Sequence, residues 1–522
     1  MTLKGASKIN FDLHCALCVV SLCIINNGGT MEEIEQLQDD LSELIKVRRD
    51  KLKALVEAGK DPYSLIYFDK THLSSDVLGG FDALDGQKVS VAGRIVSRRM
   101  MGKASFAHIL DGTGKIQLYL KADELGEAYE EWKKYDIGDI VGASGTVFRT
   151  HMGEVSVKVA AITLLSKSLL PLPEKWHGLK DNDLRYRQRY VDLIANPEVK
   201  ETFIKRGKII KAIRDYLDGE GFIEVETPIL STLAGGASAR PFVTHHNTLD
   251  LKMYMRIAPE LYLKRLIVGG FEKVYEIGRM FRNEGMDIKH NPEFTMMELY
   301  QAYTDLDGMI AITQNIFDAV RKAVGAGESI NYQDNQISLR TPFKVLSMNE
   351  AVKQYVGVDF SALSDTSAKK KAKELGLELE KGKDSKGYIL YEAFDQFVEY
   401  RLIDPVFITE YPVEVSPLAK RIPNTDLTYR FELFICGREM GNAFAELNDP
   451  LDQRERFAAQ VKLKELGDEE AQPYDEDYVT ALEYGLPPTG GLGLGIDRMV
   501  MLFTDNYSIR DVMLYPTMKP RK

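Results

Sequence analysis

Arg279-Met280-Phe281-Arg282-Asn283-Glu284, followed after a polar stretch through His290 by Phe294-Thr295-Met296-Met297-Glu298-Leu299-Tyr300, is the part of the sequence on which the fold turns. It reads as two strands joined by a long loop. Alternate residues of a strand share a face, so Phe294, Glu298 and Tyr300 point one way, and Arg282 points with Glu284. A strand buried on both faces should be an unbroken apolar run, and inward charges without partners are costly. A sheet face that binds a ligand accounts for cation, ring and carboxylates together better than a packed core does.

Further segments carry the same mixture. Gly490-Gly491-Leu492-Gly493-Leu494-Gly495-Ile496-Asp497-Arg498 leads into an apolar helix from about Met499. A glycine-rich strand lets a ligand approach the backbone. The dinucleotide fingerprint needs Gly-x-Gly-x-x-Gly after an early strand, whereas these glycines alternate and an arginine comes next. Phe431-Glu432-Leu433-Phe434, then Glu439 and Gly441 to Glu446, resembles a hairpin. Period two puts Asn442, Phe444 and Glu446 on one face and Glu439 on the other, unless the turn resets the face. Upstream, an apolar-periodic helix from Phe203 to Leu217 runs into Gly221-Phe222-Ile223-Glu224-Val225-Glu226-Thr227-Pro228, a glycine turn and a strand stopped by proline.

The chain that holds these segments has 522 residues, enough for about three domains of roughly 150 residues. Its 44% hydrophobic and 28% charged residues, with 41 glycines and 19 prolines, exclude a disordered or collagenous chain. Lysine and arginine number 67 against 78 acids, a formal charge of -11, so any contact with nucleic acid needs a local basic face. Four cysteines, Cys15, Cys18, Cys23 and Cys436, cannot frame an extracellular fold of this length, and a reducing, cytoplasmic setting is expected. Residues 1–30 are expected to be a poorly structured leader, with Met31 a candidate working start. The apolar run Ala16 to Ile25 is too short to span a bilayer and continues into Asn26-Asn27-Gly28-Gly29-Thr30 instead of a cleavage site. His14 with the nearby cysteines lacks the second ligand pair of a zinc site. No membrane association is expected.

From Met31 to about Gly59, apolar residues at three-to-four spacing predict an amphipathic helix, placed in an N-terminal segment 31–65. Five short β runs come next: Val89 to Ile95, Phe106 to Ile109, Lys115 to Leu120, Ile140 to Val147 and Glu154 to Thr163. They predict a small closed barrel of the OB type over residues 66–168, a fold that can offer a sheet face to single-stranded nucleic acid. A linker, 169–182, leads to a large domain of mixed helices and strands, 183–522, with a helical insertion at about 343–402 that carries a lysine-rich, solvated stretch from Lys369 to Lys386.

Taken in order, these segments resemble the three signature motifs of class II aminoacyl-tRNA synthetases. With Gly235-Gly236-Ala237-Ser238-Ala239-Arg240-Pro241-Phe242, Ala258-Pro259-Glu260-Leu261 and Gly441 to Glu446, the chain from Met31 onward is most similar to the lysyl-tRNA synthetases, bacterial type, of subgroup IIb. The resemblance implies an N-terminal OB-type β-barrel that binds the anticodon. It also implies an α+β catalytic domain whose antiparallel sheet is flanked by helices, and a homodimer formed through the first motif. The implied activity is that of a lysine–tRNA ligase family: L-lysine and ATP give lysyl-adenylate and pyrophosphate, and lysine passes to the 3′-terminal adenosine of lysine tRNA, with Mg2+ as cofactor.

By the same resemblance, Arg282 bridges the ATP α-phosphate and the amino-acid carboxylate, while Arg498 covers adenine and reaches the phosphates. Phe294 stacks on adenine, and Glu284 and His290 help to hold ATP. Glu432 and Glu439 match the magnesium-binding carboxylates. Gly236, Glu260 and Glu298 fall near the α-ammonium of lysine, Tyr300 and Glu446 at the far ammonium, and Asn442 and Phe444 shape the pocket. In the barrel, Phe106 and Gln117 match positions that stack on and hydrogen-bond the central anticodon uridine, with Glu154 nearby and Arg98, Arg99 and Lys103 supplying positive charge. The chemistry suits these types, because in-line attack by a carboxylate on phosphorus depends on alignment and on neutralising oxyanion charge, a task for arginine's planar fork. Glu446 is the sharpest discriminator, since aspartate-specific relatives place arginine there. The alternatives are an aspartate- or asparagine-type synthetase, a synthetase-like protein ligase, which would lack the barrel, and an RNA-binding paralogue, which would have lost Arg282, Arg498, Glu432 or Glu439.

Overall fold

The computed structural model describes residues 31–173, 181–468 and 470–521. The expected leader, and residues 174–180 of the expected linker, lie outside them. The chain divides into two compact units between Asn196 and Pro197. The short helices Asn182–Arg187 and Arg189–Ala195 precede that division.

In the first unit the N-terminal helix covers Met31–Glu57, and Asp61 then caps a single turn at Pro62–Ser64. The helix thus ends close to the expected Gly59, and Pro62 bars its continuation through the rest of the segment. Beyond it come five strands, β1 (Lys88–Met101), β2 (Ala104–Leu110), β3 (Lys115–Lys121), β4 (Ile140–Arg149) and β5 (Val155–Ser166). They close into a barrel in the order β1-β2-β3-β5-β4. Alternation decides what fills it: Val91, Ile109, Leu118, Val141 and Val157 are all fully buried. The helix Glu127–Trp132 adds the buried Trp132, whose indole N–H donates to Ser105 Oγ at 3.0 Å.

The second unit is built on strands β6 (Ile223–Glu224), β10 (Lys273–Phe281), β11 (Glu293–Ala302), β14 (Lys344–Ser347), β15 (Val406–Thr409), β16 (Arg430–Phe434), β17 (Glu439–Ala445) and β18 (Thr489–Gly495). These form one eight-stranded sheet, in the order β14-β15-β16-β17-β18-β11-β10-β6. It is antiparallel from β15 to β10 and parallel at its two edges. Between β6 and β10, the strands β7 (Leu230–Ser231), β8 (Val243–His246) and β9 (Leu251–Met255) make a separate three-stranded sheet, and β12 (Ser329–Tyr332) pairs with β13 (Asn335–Ser338) alone. On one face of the large sheet, Met297, Leu299, Leu433, Leu492 and Leu494 pack with the helices Pro197–Gly219, Leu306–Ala323 and Ile496–Thr504. Burying each such leucine contributes about 1.5–3 kcal/mol. The intervening residues of these strands face the other way, and there the sheet is open to a cavity.

The insertion at 343–402 differs from expectation at its start, where Lys344–Ser347 is β14 at the sheet edge. Ser347 is where extended chain gives way to helix: its hydroxyl accepts from Glu350 N–H, and the Glu350 carboxylate accepts from Ser347 N–H. The helices Met348–Val356, Asp365–Leu375 and Lys386–Phe397 then share a core with Ile408 and Phe434.

Candidate active site

Strand parity builds the site. Along β11, Met297 and Leu299 go to the core, and Phe294, Met296 and Glu298 line a cavity of about 500 Å³. On β18 the leucines go to the core and Gly491, Gly493 and Gly495 meet the cavity. Gly441 of β17 would clash through an added Cβ with the carbonyl of Gly493 at 2.8 Å, so the strands there tolerate only glycine. Asn442 and Phe444 line the same cavity, as simple alternation predicts.

Glu439 reaches it by a bulge. Leu433 pairs with Gly441, whereas the next residue, Phe434, pairs with Glu439, so Met440 is extra. One added residue restores the parity that alternation alone denied, and Glu439 joins Glu432 on the cavity wall.

At this end, Arg498 Nη1 donates to the Glu439 carbonyl and lies 3.3 Å from its Oε2. Arg498 is set in place by its neighbour: the buried Asp497 accepts from Thr295 N–H at 2.6 Å and from Arg206. The guanidinium of Arg282 lies 5.1 Å from the centre of the Phe294 ring, and its Nε has no hydrogen-bond partner among the described residues. Burial lowers the Arg282 pKa, while Glu284 and Glu439 act against that shift. Glu284 and His290 are exposed on the β10–β11 loop, and Asp287 ties that loop by accepting from the His290 N–H at 2.7 Å. Glu432 is pushed up by burial, with Arg430 opposing and the charge of Glu439 adding to the rise. Its oxygens accept from Arg430 at 2.6 Å and Tyr411 at 2.8 Å.

The other end of the cavity is acidic. Glu260, at the start of the helix Glu260–Val268, and Glu298 line it beside Gly236, which has φ +92°. Burial pushes the Glu298 carboxyl up to about 8, the charge of Glu260 adds to this, and a hydrogen bond from Tyr300 opposes it. Tyr300 and Glu446 stand on the same face of the sheet as the cavity, packed over Gly491 and 3% and 1% exposed. Among the described residues Lys264 is the one side chain ion-paired with Glu446, meeting Oε2, and Oε1 has no hydrogen-bond partner among them. Lys264 Nζ also donates to Glu260 Oε1 at 2.5 Å. Burial raises the carboxyl of Glu446 well above the ordinary range, with Lys264 opposing. Burial works against the charge of Lys264, but Glu260 and Glu446 outweigh it.

In the barrel, Phe106 faces Tyr119 across the β2–β3 ladder, with ring centres 4.8 Å apart, and Tyr119 leads on to Phe148 at 5.8 Å. Gln117 and His108 pair on the same face. Gln117 Nε2 donates to Glu154 Oε2 at 2.6 Å, and Ser156 Oγ donates to Gln117 Oε1 at 2.8 Å. Phe106, Gln117 and Glu154 therefore share one surface. Arg98 does not: it pairs with Ala107 on the opposite face, and its Nη1 donates to the carbonyls of Trp132 and Lys133 that end a helix. Arg99, paired with Phe106, is the arginine on the ring-bearing surface.

Sequence reasoning missed Lys264, Arg430, Tyr411, Asp497 and His108. Lys264 did carry a signal, a lysine four residues after Glu260 on an otherwise apolar helical face. Arg430 and Tyr411 carried none, because their partner Glu432 is reached only through the register of β16.

Comparison with known proteins agrees with this geometry. Residues 181–519 match the family described as tRNA synthetases class II (D, K and N), and residues 89–165 match the OB-fold nucleic acid binding domain. A lysine–tRNA ligase of Thermoanaerobacter sp. (strain X514) is 58% identical over 486 residues, 92% of this chain and 97% of the relative. That of Carboxydothermus hydrogenoformans is 57% identical, covering 92% and 99% of the two chains, and that of Clostridium perfringens strain ATCC 13124 is 54% identical, covering 94% and 99%. A chain with an OB barrel and a largely antiparallel sheet thus matches these proteins nearly end to end, and it belongs to the class II tRNA synthetases, within the lysine–tRNA ligase family.

Proposed function

We propose that the cavity on the large sheet is where L-lysine and ATP form lysyl-adenylate and pyrophosphate, and that the lysyl group then passes to the 3′-terminal adenosine of lysine tRNA. The observation that carries this is Glu446, a buried carboxylate beside Gly491 of the cavity wall whose Oε2 meets Lys264 and whose Oε1 is left for a further partner. A buried acid of this kind asks for a cationic donor, and lysine's side chain ends in one. An aspartate or asparagine side chain would leave it unpaired or repelled, at a cost of roughly several kcal/mol.

With the side-chain ammonium at Glu446 and Tyr300, Gly236, Glu260 and Glu298 are left for the α-ammonium, and Asn442 and Phe444 for the walls. The α-carboxylate then points toward Arg282. Attack by this carboxylate oxygen on the α-phosphorus forms the acyl phosphate bond and breaks the bond to the bridging oxygen, so that pyrophosphate leaves. No general base is required, and the work of Arg282 and Arg498 is alignment and charge neutralisation. Phe294, Glu284 and His290 suit the adenosine part.

Glu432 and Glu439 fit a magnesium ion in donor chemistry. They are hard oxygen ligands brought to one wall by the bulge, and Glu439 raises the pKa of Glu432, a repulsion that a divalent cation relieves. Glu432 and Glu439 would hold Mg2+, which would supply positive charge to offset that of the triphosphate. In the barrel, Phe106 and Gln117 suit the stacking and edge recognition of an unpaired anticodon base, with Glu154 fixing the Gln117 amide.

A homodimer is supported by exposed apolar residues on and beside β6 to β8: Ile223, Ile229, Leu230 and Val243. Sedimentation would give twice the chain mass. No helix among the described residues is long and apolar enough to cross a membrane, and the working compartment proposed is the cytoplasm.

The deciding experiment is amino-acid-dependent ATP–pyrophosphate exchange across all twenty amino acids, with Mg2+ and without tRNA. Exchange with lysine alone is expected. Exchange with aspartate or asparagine would overturn the assignment of Glu446, and none at all would favour an RNA-binding paralogue.

A further inference from the structure

Lys264 has no part in the reaction just described, yet it is the cation in contact with the acids at the amino-acid end. Its side chain is fully buried, and its Nζ is enclosed by the rings of Phe444, Tyr300 and Tyr478 at 5.2, 5.9 and 5.9 Å. It joins Glu260 of its own helix to Glu446, just beyond the end of β17. The attachment to Glu446 is one-sided. Oε2 meets Lys264, while Oε1 is the oxygen nearest to a Cβ built on Gly491, a residue of the cavity wall.

We propose that Lys264 is a specificity-determining positioning residue for the amino-acid substrate. Its ammonium clamps Glu260 and Glu446 together, so that each of the substrate's two ammonium groups meets a carboxylate already fixed in place. The proposal rests on the assignment of Glu446 to the side-chain ammonium.

Charge balance supports it. Glu260, Glu298 and Glu446 would together place three negative charges in a desolvated space, a cost they avoid by taking up protons. Lys264 supplies one positive charge and leaves two to be matched, the number of ammonium groups that lysine brings. The other groups facing this cluster do not replace it. Tyr300 is a neutral donor to Glu298, the Tyr478 hydroxyl has no hydrogen-bond partner among the described residues, Arg430 acts on Glu260 from β16, and Arg282 acts on Glu298 from the phosphate end. Without Lys264, a protonated Glu446 could donate as well as accept, and would no longer distinguish a cationic side chain from a neutral one.

The test compares the full-length protein with Lys264→Met, Lys264→Gln and, as control, Glu446→Gln. ATP–pyrophosphate exchange is measured from pH 6 to 8 with lysine and with 2-aminohexanoic acid, its neutral analogue of equal carbon length. For Lys264→Met, the KM for lysine should rise about tenfold or more while the KM for ATP stays within about twofold. The acid limb of kcat/KM for lysine should move to higher pH, and preference for lysine over the analogue should fall about tenfold or more. Lys264→Gln keeps donor atoms without the charge and should show the same displaced limb; it carries the test if the methionine variant does not fold. An unchanged pH limb and an unchanged preference would overturn the proposal, even with a lower kcat, because that is what a merely structural lysine predicts. If Glu446→Gln leaves lysine KM and preference intact, the assignment of Glu446 has failed instead. If it loses both while the Lys264 variants lose neither, only the proposal for Lys264 has failed.

Discussion

Gly491 covers the Glu446 carboxylate so closely that no side chain fits between them: a Cβ on Gly491 would run into Glu446 Oε1 and would meet Tyr300 Cε1 at 2.5 Å. The glycine of β18 thus leaves, on the cavity face of the sheet, the space that Glu446 and Tyr300 occupy. Gly491→Ala should force Tyr300 or Glu446 to shift. The KM for lysine should rise by about tenfold or more, with little change in the KM for ATP. Exchange kinetics with each substrate varied in turn would check this, and an equal rise for both would place Gly491 outside the lysine pocket.

Glu298 makes lysine binding depend on pH. Its carboxyl, pushed up to about 8 chiefly by burial, is protonated at neutral pH in the empty cavity. An ammonium bound beside it favours the ionised form, so binding expels a proton. The KM for lysine should therefore fall as pH rises from 6 to 8. The same group affects folding in a fixed direction. Between about 4.3, its value in an unfolded chain, and about 8, the folded protein holds a proton that the unfolded chain has released, so this contribution to stability declines as pH rises through that window. Calorimetric titration with lysine in two buffers of different ionisation enthalpy would count the protons. A KM flat across this range, with no proton released, would sink the prediction.

The β10–β11 segment shows how much was legible in the sequence. Period two alone put Phe294 and Glu298 on one face, and the barrel strands were foreseen because short β-rich runs between glycine turns leave few alternatives. Glu439 was not legible, since a bulge at Met440 is a property of how β16 and β17 pair and not of either strand alone. Lys264 was passed over for a related reason: four residues from Glu260, it looks like an ordinary helical ion pair until Glu446, which is remote in sequence, closes over it. Arg98, expected with Arg99 and Lys103 to supply positive charge near the anticodon, pairs instead with Ala107, in a register set by the irregularity of β1 between Ile95 and Ser97.

Arg98 and Phe106 should fail in different ways. Loss of Arg98 removes a cation from the carbonyls of Trp132 and Lys133. Arg98→Ala should destabilise the barrel by about 1–3 kcal/mol and leave anticodon contacts to other residues. Phe106→Ala should leave the melting temperature nearly unchanged and reduce lysine transfer to tRNA far more than adenylate formation, since stacking contributes about 1–3 kcal/mol per base. Thermal melts beside both assays separate the two, and equal losses in exchange and charging for Phe106→Ala would contradict its assignment.

Glu439→Gln should keep the bulge and the bond from Arg498 to the backbone carbonyl, because neither needs a charge on the side chain. It removes one hard anionic ligand from the wall shared with Glu432. The Mg2+ concentration for half-maximal exchange should rise by about tenfold or more, and excess Mg2+ should recover part of the rate. A titration unchanged from the parent would remove Glu439 from the metal site.

Arg282 gives the most direct test of the chemistry. Its guanidinium lies over the Phe294 ring, its Nε has no partner among the described residues, and burial lowers its pKa without a hydrogen-bonded acid to hold it. Such a donor is free to meet the oxygens of the α-phosphate as their charge develops. Arg282→Ala should lower the rate of adenylate formation by about 10²–10³-fold, while lysine still binds through its two ammonium groups. Arg282→Lys should recover only part of that loss, because one ammonium cannot span phosphate and carboxylate as a planar fork does. Single-turnover formation of adenylate at saturating lysine and ATP isolates the step. A lysine variant with the parent rate would show that point charge suffices, and would move the bridging role to Arg498.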